Sequence, residues 1–252
     1  MDFSGKRVLV TGGTRGIGRA VAEGFAARGA GVALSYLNNH DAARDTLASL
    51  PGGPHESFAG DVADPAFCER LVADTVAALG GLEILVNNAG IFEAHPIDIV
   101  SYDEWQTAWT RTLNTNLVAA ANLSFHAARH MVAAGGGRIV NVSSRGAFRG
   151  EPESPAYGAS KAGLNAMSQS LAQRLAPHGV FVGVVAPGFV ETDMAAASLE
   201  GEQGDAIRAQ SPTGRVAKPE EVAYAVLFLA SAGAEFSTGT IIDVNGASYL
   251  RS

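Results

Sequence analysis

The chain has 252 residues, of which 47% are hydrophobic and 17% are charged, a composition typical of one soluble α/β domain with a sizeable core. Its net charge of -7 argues against nucleic-acid and anionic-membrane partners, since both select for clustered Lys and Arg. The single cysteine, Cys68, cannot form an internal disulfide, and neither a signal-peptide pattern nor a membrane-spanning apolar run is present, so we expect a cytoplasmic protein.

The first predicted unit is a strand, a glycine turn and a helix. An apolar run at residues 7–10 leads into Thr11-Gly12-Gly13-Thr14-Arg15-Gly16-Ile17-Gly18, and an Ala-rich helical pattern continues to Gly29. Glycines let a ligand approach the backbone closely, and the helix N-terminus offers N–H groups and a positive dipole end to a phosphate. An ordinary tight connection can look similar, but the order of elements favours dinucleotide binding.

The end of the second predicted strand, residues 31–36, bears on the choice of cofactor. In dinucleotide-binding folds a carboxylate near this position holds the ribose 2′-hydroxyl of NAD, whereas a basic residue accommodates the 2′-phosphate of NADP. Here Tyr36 is followed by Leu37, Asn38 and Asn39, with no carboxylate. Arg15 in the glycine turn supplies a positive charge. We therefore predict NADP(H) and keep NAD(H) as the alternative, because no second cation accompanies Arg15.

The next segments continue the alternation of helices and strands. A helix is predicted over residues 39–50, a short strand through Ser57 and Phe58, and a second helix from the cap Asp64 to about residue 79. A strand at residues 82–86 then ends in Asn87-Asn88-Ala89-Gly90. Asparagine amides at the end of a strand can hold neighbouring loops or a ribose, although asparagines also form simple turns.

One long helix is predicted over residues 103–134. Asn114 and Asn116 lie in its middle, where asparagine is mildly unfavourable and often has another role. His126 and His130 are one turn apart, but no further Cys, His or carboxylate pattern accompanies them, so no metal site is predicted.

The second half of the chain completes the sheet with strands at residues 138–142, 180–185 and 240–244. The first of these delivers Ser143 and Ser144, and the second leads into Pro187 and Gly188. Seven short apolar strands alternating with helices predict a doubly wound, seven-stranded parallel sheet with helices on both faces, a Rossmann fold in one domain over residues 1–252.

Tyr157 and Lys161 are predicted to be neighbours on one helix face, because four residues make about one turn. A phenol ionises near pH 10, and a nearby ammonium is expected to lower the pKa of Tyr157 towards the range useful for acid–base catalysis. The spacing alone is equally compatible with a surface Tyr and Lys that share a face by chance.

Together these motifs resemble those of the classical short-chain dehydrogenase/reductase family over almost the whole chain. Residues 11–18 match its T-G-x-x-x-G-x-G turn, residues 87–90 its N-N-A-G signature, and Tyr157 with Lys161 its Y-x-x-x-K motif. Asn116 falls on the family's helical asparagine, and Ser144 lies at the usual distance before the tyrosine.

The resemblance implies hydride transfer between a nicotinamide cofactor and a ketone or secondary alcohol. Tyr157 would exchange a proton with the carbonyl oxygen, and Ser144, with Ser143 as its competitor, would hold that oxygen. Lys161 would bind the ribose, and Asn116 would hold a water that feeds protons to Lys161. The Y-x-x-x-K spacing is unlike that of the enoyl reductases of the same superfamily.

The cofactor contacts implied by the resemblance come from the glycine turn, the ends of the first strands and the segment that closes over the nicotinamide. They are Gly12, Thr14, Arg15, Gly16, Ile17, Gly18, Tyr36, Asp61, Val62, Asn88, Ala89, Gly90, Tyr157, Lys161, Pro187, Gly188 and Thr192.

The substrate stays open at this level. By resemblance, residues 189–215 form the lid over the substrate, and a general likeness to 3-oxoacyl-acyl-carrier-protein reductases makes that reaction the first specific expectation. Arg145 and Arg149 flank the serine loop and are candidates to meet an acidic group, unless they pair with Glu151 or Glu153. The alternatives are an NAD(H)-dependent alcohol dehydrogenase and, less favoured, a non-catalytic dinucleotide-binding sensor.

The resemblance also implies assembly into a homotetramer, or a homodimer. The helix that carries Trp105 and Trp109 and the helix that carries Tyr157 match elements of one family interface, and the last strand and its tail match a second. The tryptophans could instead be core residues.

Overall fold

The structure is a computed structural model that describes residues 1–251. Its seven parallel strands form one sheet in the order β3-β2-β1-β4-β5-β6-β7. They are β1 (Arg7–Thr11), β2 (Gly31–Tyr36), β3 (His55–Ala59), β4 (Ile84–Asn87), β5 (Gly137–Val142), β6 (Val180–Pro187) and β7 (Ile241–Val244). The strand order reverses between β1 and β4, and ligands of open α/β sheets bind in the crevice beyond such a point. The predicted doubly wound parallel sheet is confirmed.

The helices are α1 (Gly16–Ala26), α2 (His40–Ser49), α3 (Pro65–Leu79), α4 (Tyr102–Leu113), α5 (Ala119–Ala133), α6 (Gly146–Arg149), α7 (Pro155–Leu175), α8 (Gly201–Ala209) and α9 (Pro219–Ala230). None of the helices within residues 1–251 is long and apolar enough to cross a membrane. The helices α6 and α8 were not predicted, because they are too short to show a helical period.

A π-helical turn, Asn114–Val118, joins α4 to α5 and interrupts the predicted regular helix over residues 103–134. At its end the Ala119 N–H donates to the carbonyl oxygen of Asn114, five residues earlier. Single π-helical turns within α-helices are frequent at functional sites. The prediction of one helix was therefore right about its extent and wrong about its regularity.

The two faces of the sheet bury separate apolar clusters. Val8 and Val10 belong to the cluster that packs on α1 and α9, whereas Leu9 belongs to the cluster that packs on α3 and α5. Successive side chains of a strand point to opposite faces, so a strand covered on both sides is apolar throughout. Full burial of each such side chain contributes about 1.5–3 kcal/mol, which holds the ends of the central strands firmly in place.

Candidate active site

The glycine turn connects the end of β1 to the start of α1 and leaves no room for side chains at its tightest point. Gly12 and Gly16 have φ values of 61° and 51°, a region that favours glycine. A Cβ atom on Gly18 would lie 2.1 Å from the carbonyl oxygen of Gly12. Arg15 is the N-cap of α1, yet no side chain caps this helix. The first N–H groups of α1 are therefore available to an anionic group.

Asn88 and Thr11 clamp this turn. The Asn88 Nδ2 donates to the carbonyl oxygens of Thr11 and Gly12 at 2.9 and 3.1 Å. In return the Thr11 Oγ1 accepts from the backbone N–H groups of Asn88 and Ala89, both at 3.0 Å. Of the two roles open to Asn88, holding a loop and holding a ribose, the structure shows the first. Thr11 had been given no role of its own, and its clamp depends on a neighbouring strand.

The edge near β2 brings together the groups relevant to cofactor choice. Arg15 is exposed and makes no ion pair with any residue in the described range 1–251. The Gly13 N–H donates to the carbonyl oxygen of Ser35 at 3.1 Å, which fixes the glycine turn against β2. The Tyr36 hydroxyl lies 2.9 Å from the Nδ1 of His40. His40 is an exposed polar group at this edge that the sequence analysis did not name.

The predicted adenine contacts, Asp61 and Val62, follow β3 directly. The Gly60 N–H donates to the carbonyl oxygen of Tyr36 at 2.9 Å, so this turn lies beside the end of β2. Val62 is buried, while the exposed Asp61 closes its own turn by accepting the Ala63 N–H at 2.8 Å. Both residues therefore border the same crevice as Tyr36.

Helix α7 carries Tyr157 and Lys161 on one face, as the spacing predicted. The Lys161 Nζ lies 5.8 Å from the centre of the Tyr157 ring and donates to the carbonyl oxygen of Val142 at 2.9 Å. A Cβ atom on Gly90 would lie 3.5 Å from that Nζ, so the lysine faces the segment after β4. Since an ammonium has three donors and one is used, two remain for other partners.

The two candidate serines point in different directions. Ser143 is buried, and its Oγ donates to the carbonyl oxygen of Lys161 at 3.3 Å. Ser144 is only partly buried, and its Oγ accepts the Gly146 N–H at 3.0 Å. Its hydroxyl also lowers the pKa of the Tyr157 phenol through a hydrogen bond. The geometry therefore favours Ser144 over Ser143 as the serine beside the tyrosine.

The ionisation of the two groups on α7 is governed by burial. Burial raises the pKa of the Tyr157 phenol above its ordinary value, against the lowering effect of Ser144, and the Glu151 carboxylate raises it further. Burial also lowers the pKa of Lys161 to about 8. The prediction that the pKa of Tyr157 is lowered is therefore wrong for the chain by itself, because loss of solvation is the largest influence on the phenol.

Asn116 sits in the π-helical turn and binds the segment after β4. Its Oδ1 accepts the Ile91 N–H at 2.8 Å, and its Nδ2 donates to the Ile91 carbonyl oxygen at 2.9 Å and to the Ser160 Oγ at 3.2 Å. Both amide hydrogens are thus used within the protein. A Cβ atom on Gly90 would lie 3.3 Å from Asn116 Oδ1, so the asparagine and Lys161 face the same small space.

The segment after β6 reaches over the glycine turn. The Pro187 carbonyl oxygen accepts the Arg145 N–H at 2.8 Å, and the Gly188 N–H donates to the Val244 carbonyl oxygen at 3.0 Å. Further on, the Thr192 Cγ2 lies 3.1 Å from where a Cβ atom on Gly16 would be. Thr192 and the glycine turn are therefore adjacent, although they lie 176 positions apart in the sequence numbering.

Arg145 does not point to solvent as a surface arginine would. Its guanidinium donates to Ser248 Oγ at 2.6 Å and Gln210 Oε1 at 2.8 Å, and it lies over the Phe189 ring at 5.0 Å. It borders a cavity of about 190 Å³ between α8 and the loop after β7. Arg149 is exposed, and neither arginine forms an ion pair with Glu151 or Glu153 within residues 1–251.

Comparison with known proteins agrees with this geometry. A family model described as enoyl-(acyl carrier protein) reductase matches residues 12–247. The 3-oxoacyl-[acyl-carrier-protein] reductase FabG of Salmonella typhimurium is 40% identical over 250 residues, which cover 99% of this chain and 100% of the relative. D-threitol dehydrogenase of Mycolicibacterium smegmatis is 38% identical over 256 residues, 99% of this chain and 96% of the relative.

Among solved structures, a short chain dehydrogenase from Burkholderia cenocepacia in complex with NADP superposes with a TM-score of 0.90. It is 37% identical, and the match covers 98% of this chain and 99% of that one. With the doubly wound sheet, the glycine turn and the Tyr157–Lys161 pair already in place, these matches show that the chain belongs to the short-chain dehydrogenase/reductase family of NAD(P)-dependent oxidoreductases acting on CH–OH groups.

Proposed function

We propose that the protein is an NADP(H)-dependent ketone reductase whose substrates are 3-oxoacyl thioesters. The observation that carries this proposal is that Tyr157 lies between Ser144 and Lys161, with Lys161 facing Gly90 one strand away from the glycine turn. The relatives named 3-oxoacyl-[acyl-carrier-protein] reductase, 40% identical over 99% of this chain and 100% of each relative, support the substrate class.

The roles of the site residues follow from their environments. The cofactor supplies a hydride when it is bound. Tyr157 donates its proton to the carbonyl oxygen, and its raised pKa keeps the phenol protonated at neutral pH, the state that reduction requires. Ser144 donates a hydrogen bond to the same oxygen as negative charge develops there. Lys161 uses its two remaining donors to hold ribose hydroxyls, and Asn116 keeps a lone pair of Oδ1 for a water near Lys161.

The cofactor contacts divide into two groups. The N–H groups at the start of α1 and the glycines before it bind the pyrophosphate, while Asp61 and Val62 border the adenine. Arg15, exposed and without an ion pair in residues 1–251, meets the 2′-phosphate. The Burkholderia relative that binds NADP supports this preference.

The test is a fluorescence titration with NADPH and NADH, followed by oxidation of the preferred cofactor against a panel of ketones. The panel contains an acetoacetyl thioester, a neutral cyclic ketone and a keto acid, and D-threitol with NADP⁺ is assayed in the opposite direction. We expect tighter NADPH binding and the highest kcat/KM with the thioester. Faster turnover of D-threitol would assign the protein to polyol oxidation, and tighter NADH binding would refute the role of Arg15.

We also propose that residues 1–252 form one dinucleotide-binding domain in which residues 189–215 act as the substrate lid. The bridge between Val190 and Ala217 and the cavity below α8 support this boundary, because they place the segment between two anchored ends. Limited proteolysis with and without NADPH tests it: cleavage within 189–215 should slow when the cofactor binds.

The assembly we propose is a cytoplasmic homotetramer with two distinct interfaces. Val118, Phe125 and Val132 recur every seven residues on the exposed side of the π turn and α5, and Tyr224 and Phe228 are one turn apart on α9. Exposed apolar side chains in line mark association surfaces. Light scattering should give four chains for the wild type and two for Phe125→Asp or Tyr224→Asp; a monomeric wild type would contradict the proposal.

A further inference from the structure

Helix α7, which carries Tyr157 and Lys161, is not capped by its own residues. Ser154 occupies the N-cap position, but its side chain makes no cap hydrogen bond and instead donates to the carbonyl oxygen of Glu93 at 2.8 Å. Pro155 has no N–H, so Ala156 provides the first donor of the helix. That donor is satisfied from elsewhere in the chain: the Ala156 N–H donates to the His95 Nε2 at 3.2 Å.

The contacts of His95 define the tautomer of its ring. The Nδ1 lies 2.8 Å from the carbonyl oxygen of Glu93, which can only accept, so Nδ1 carries the proton. Nε2 accepts from a backbone N–H and therefore carries none. The imidazole is thus neutral, with Nδ1 as a hydrogen-bond donor and Nε2 as an acceptor. Neither an aliphatic nor a phenyl side chain can reproduce this pair of bonds.

His95 belongs to a small latch between the loop at residues 93–95 and residues 153–156, which lead into and begin α7. Its own N–H donates to the carbonyl oxygen of Glu153 at 2.7 Å, in addition to the bonds made by its ring and by Ser154. Only 1% of His95 is exposed, and its ring meets Trp105 edge to face at 5.5 Å. Because Ser154 is also buried, the latch excludes water and its hydrogen bonds have no solvent replacement.

The latch acts on the residue next to the catalytic tyrosine. Ala156 precedes Tyr157, and on the other side the Phe92 ring meets the Tyr157 ring edge to face at 5.0 Å. The loop before His95 is anchored independently by Asn116, which binds both backbone groups of Ile91. The segment 91–95 is therefore fixed at both ends, by Asn116 at Ile91 and by the start of α7 at His95.

We propose that His95 is a positioning residue that caps the first turn of α7 through Nε2 and so places Tyr157 relative to Ser144. The proposal rests on the proposed function for the role of Tyr157. His95 touches neither substrate nor cofactor in this assignment. Its effect on rate passes through the geometry of the helix start, where a displacement of about 1 Å is enough to lower turnover strongly.

The experiment compares His95→Gln, His95→Asn and His95→Phe in the full-length protein. The Gln amide oxygen reaches the position of Nε2, the Asn amide reaches only that of Nδ1, and Phe keeps the contact with Trp105 without any acceptor. We expect kcat to fall about tenfold or more in the Asn and Phe variants and clearly less in the Gln variant. The KM for NADPH should stay within about twofold in all three, since the glycine turn is untouched.

Amide hydrogen exchange gives a second readout that does not depend on turnover. The peptide that covers residues 153–160 should exchange faster in the Asn and Phe variants than in wild type and Gln. His178→Gln and His178→Phe are the matched controls, because His178 is exposed in the 3₁₀ turn Ala176–His178 at the opposite end of the same helix. Both controls should keep wild-type kcat and exchange.

The outcomes separate this proposal from the proposed function. Equal kcat and equal exchange in the Gln and Asn variants would overturn the assignment to Nε2, and unchanged kcat in the Phe variant would overturn the positioning role. If the wild type reduces no ketone, the proposed function fails, while faster exchange at residues 153–160 in the Asn and Phe variants would still support the cap.

Discussion

The glycine turn and the start of α7 lie on either side of the same crevice and work by different physical means. In the turn, the proposed cofactor binding depends on the absence of side-chain atoms: no Cβ atom fits at Gly18, and no side chain caps α1. On α7, the proposed catalysis depends on side chains whose burial changes their ionisation, with the pKa of Tyr157 raised and that of Lys161 lowered to about 8. Substitutions should therefore act sterically on one side and electrostatically on the other.

The two regions also differ in how they are held. Asn88 and Thr11 hold the turn where two adjacent strands end, while the start of α7 is held by His95, in the loop that continues from Asn88. The turn is therefore held by residues at the ends of its own strands, whereas the start of α7 is held by a loop outside the sheet. Cofactor binding and turnover should accordingly respond to different sets of variants.

The largest expected effect is on the α7 side. Tyr157→Phe removes the proton donor without changing the shape of the crevice, so kcat for ketone reduction should fall about 10³-fold while the Kd for NADPH changes by less than about threefold. Stopped-flow oxidation of NADPH and fluorescence titration measure the two quantities. Wild-type turnover in this variant would contradict the assignment of Tyr157 as the proton donor.

On the turn side, Gly18→Ala should weaken NADPH binding by about 10²-fold, because the added Cβ atom would overlap the Gly12 carbonyl oxygen and force the turn open. Calorimetric titration measures the Kd. Gly52→Ala is a control for the loss of a glycine, since nothing lies within 4 Å of its added Cβ, although its φ of 83° leaves some strain. Unchanged NADPH affinity in Gly18→Ala would mean that the turn does not bind the pyrophosphate.

Thr11→Val tests whether the clamp, rather than the turn itself, keeps the crevice in shape. The change keeps the volume but leaves the N–H groups of Asn88 and Ala89 without their acceptor, so the free energy of unfolding should fall by about 2 kcal/mol. Urea denaturation measures it, with the exposed Thr107→Val as the matched control. A loss equal to that of the control would show that the clamp is unimportant.

The pH dependence sharpens the electrostatic side of the comparison. Lys161, whose pKa is about 8, is cationic below that pH and loses its proton as pH rises through it, so kcat/KM for reduction should fall about tenfold per pH unit above 8. Ionisation of Tyr157 causes no further decline in kcat/KM below pH 8, because the pKa of its phenol is raised. Any activity kept by Lys161→Arg should lack the decline, since arginine stays charged. A flat wild-type profile to pH 9.5 would contradict the assignment.

The smallest expected effect is at Arg15, the one charged group assigned to the turn. Arg15→Ala should weaken NADPH binding about fivefold and leave NADH binding unchanged, because an exposed cation interacts with a 2′-phosphate only modestly. The same titrations at low and high salt should show the difference shrinking as screening increases. An equal loss of affinity for NADPH and NADH would mean that Arg15 shapes the turn and does not contact the 2′-phosphate.

Much of the fold followed from local patterns. The strand at residues 31–36 has the predicted ends, since a buried parallel strand is an uninterrupted apolar run bounded by turn residues. The strand predicted at 82–86 instead spans Ile84–Asn87, because pairing with β1 and β5 decides which residues join the ladder. The regular helix over 103–134 failed at Asn114–Val118, since side-chain bonds of Asn116 to a distant loop are invisible to periodicity.

The sequence by itself determined the order of strands and helices, the glycine turn, the Tyr157–Lys161 face and the family, because each rests on spacing within a few residues or on motifs in a set order. Only the tertiary structure decided how these parts act on one another. It showed that burial is the largest influence on the pKa of Tyr157, that Asn88 clamps the turn, and that the His95 ring accepts the first N–H of α7. These effects depend on solvent exclusion and on partners far apart in the chain, which exist only once the sheet and its helices have packed.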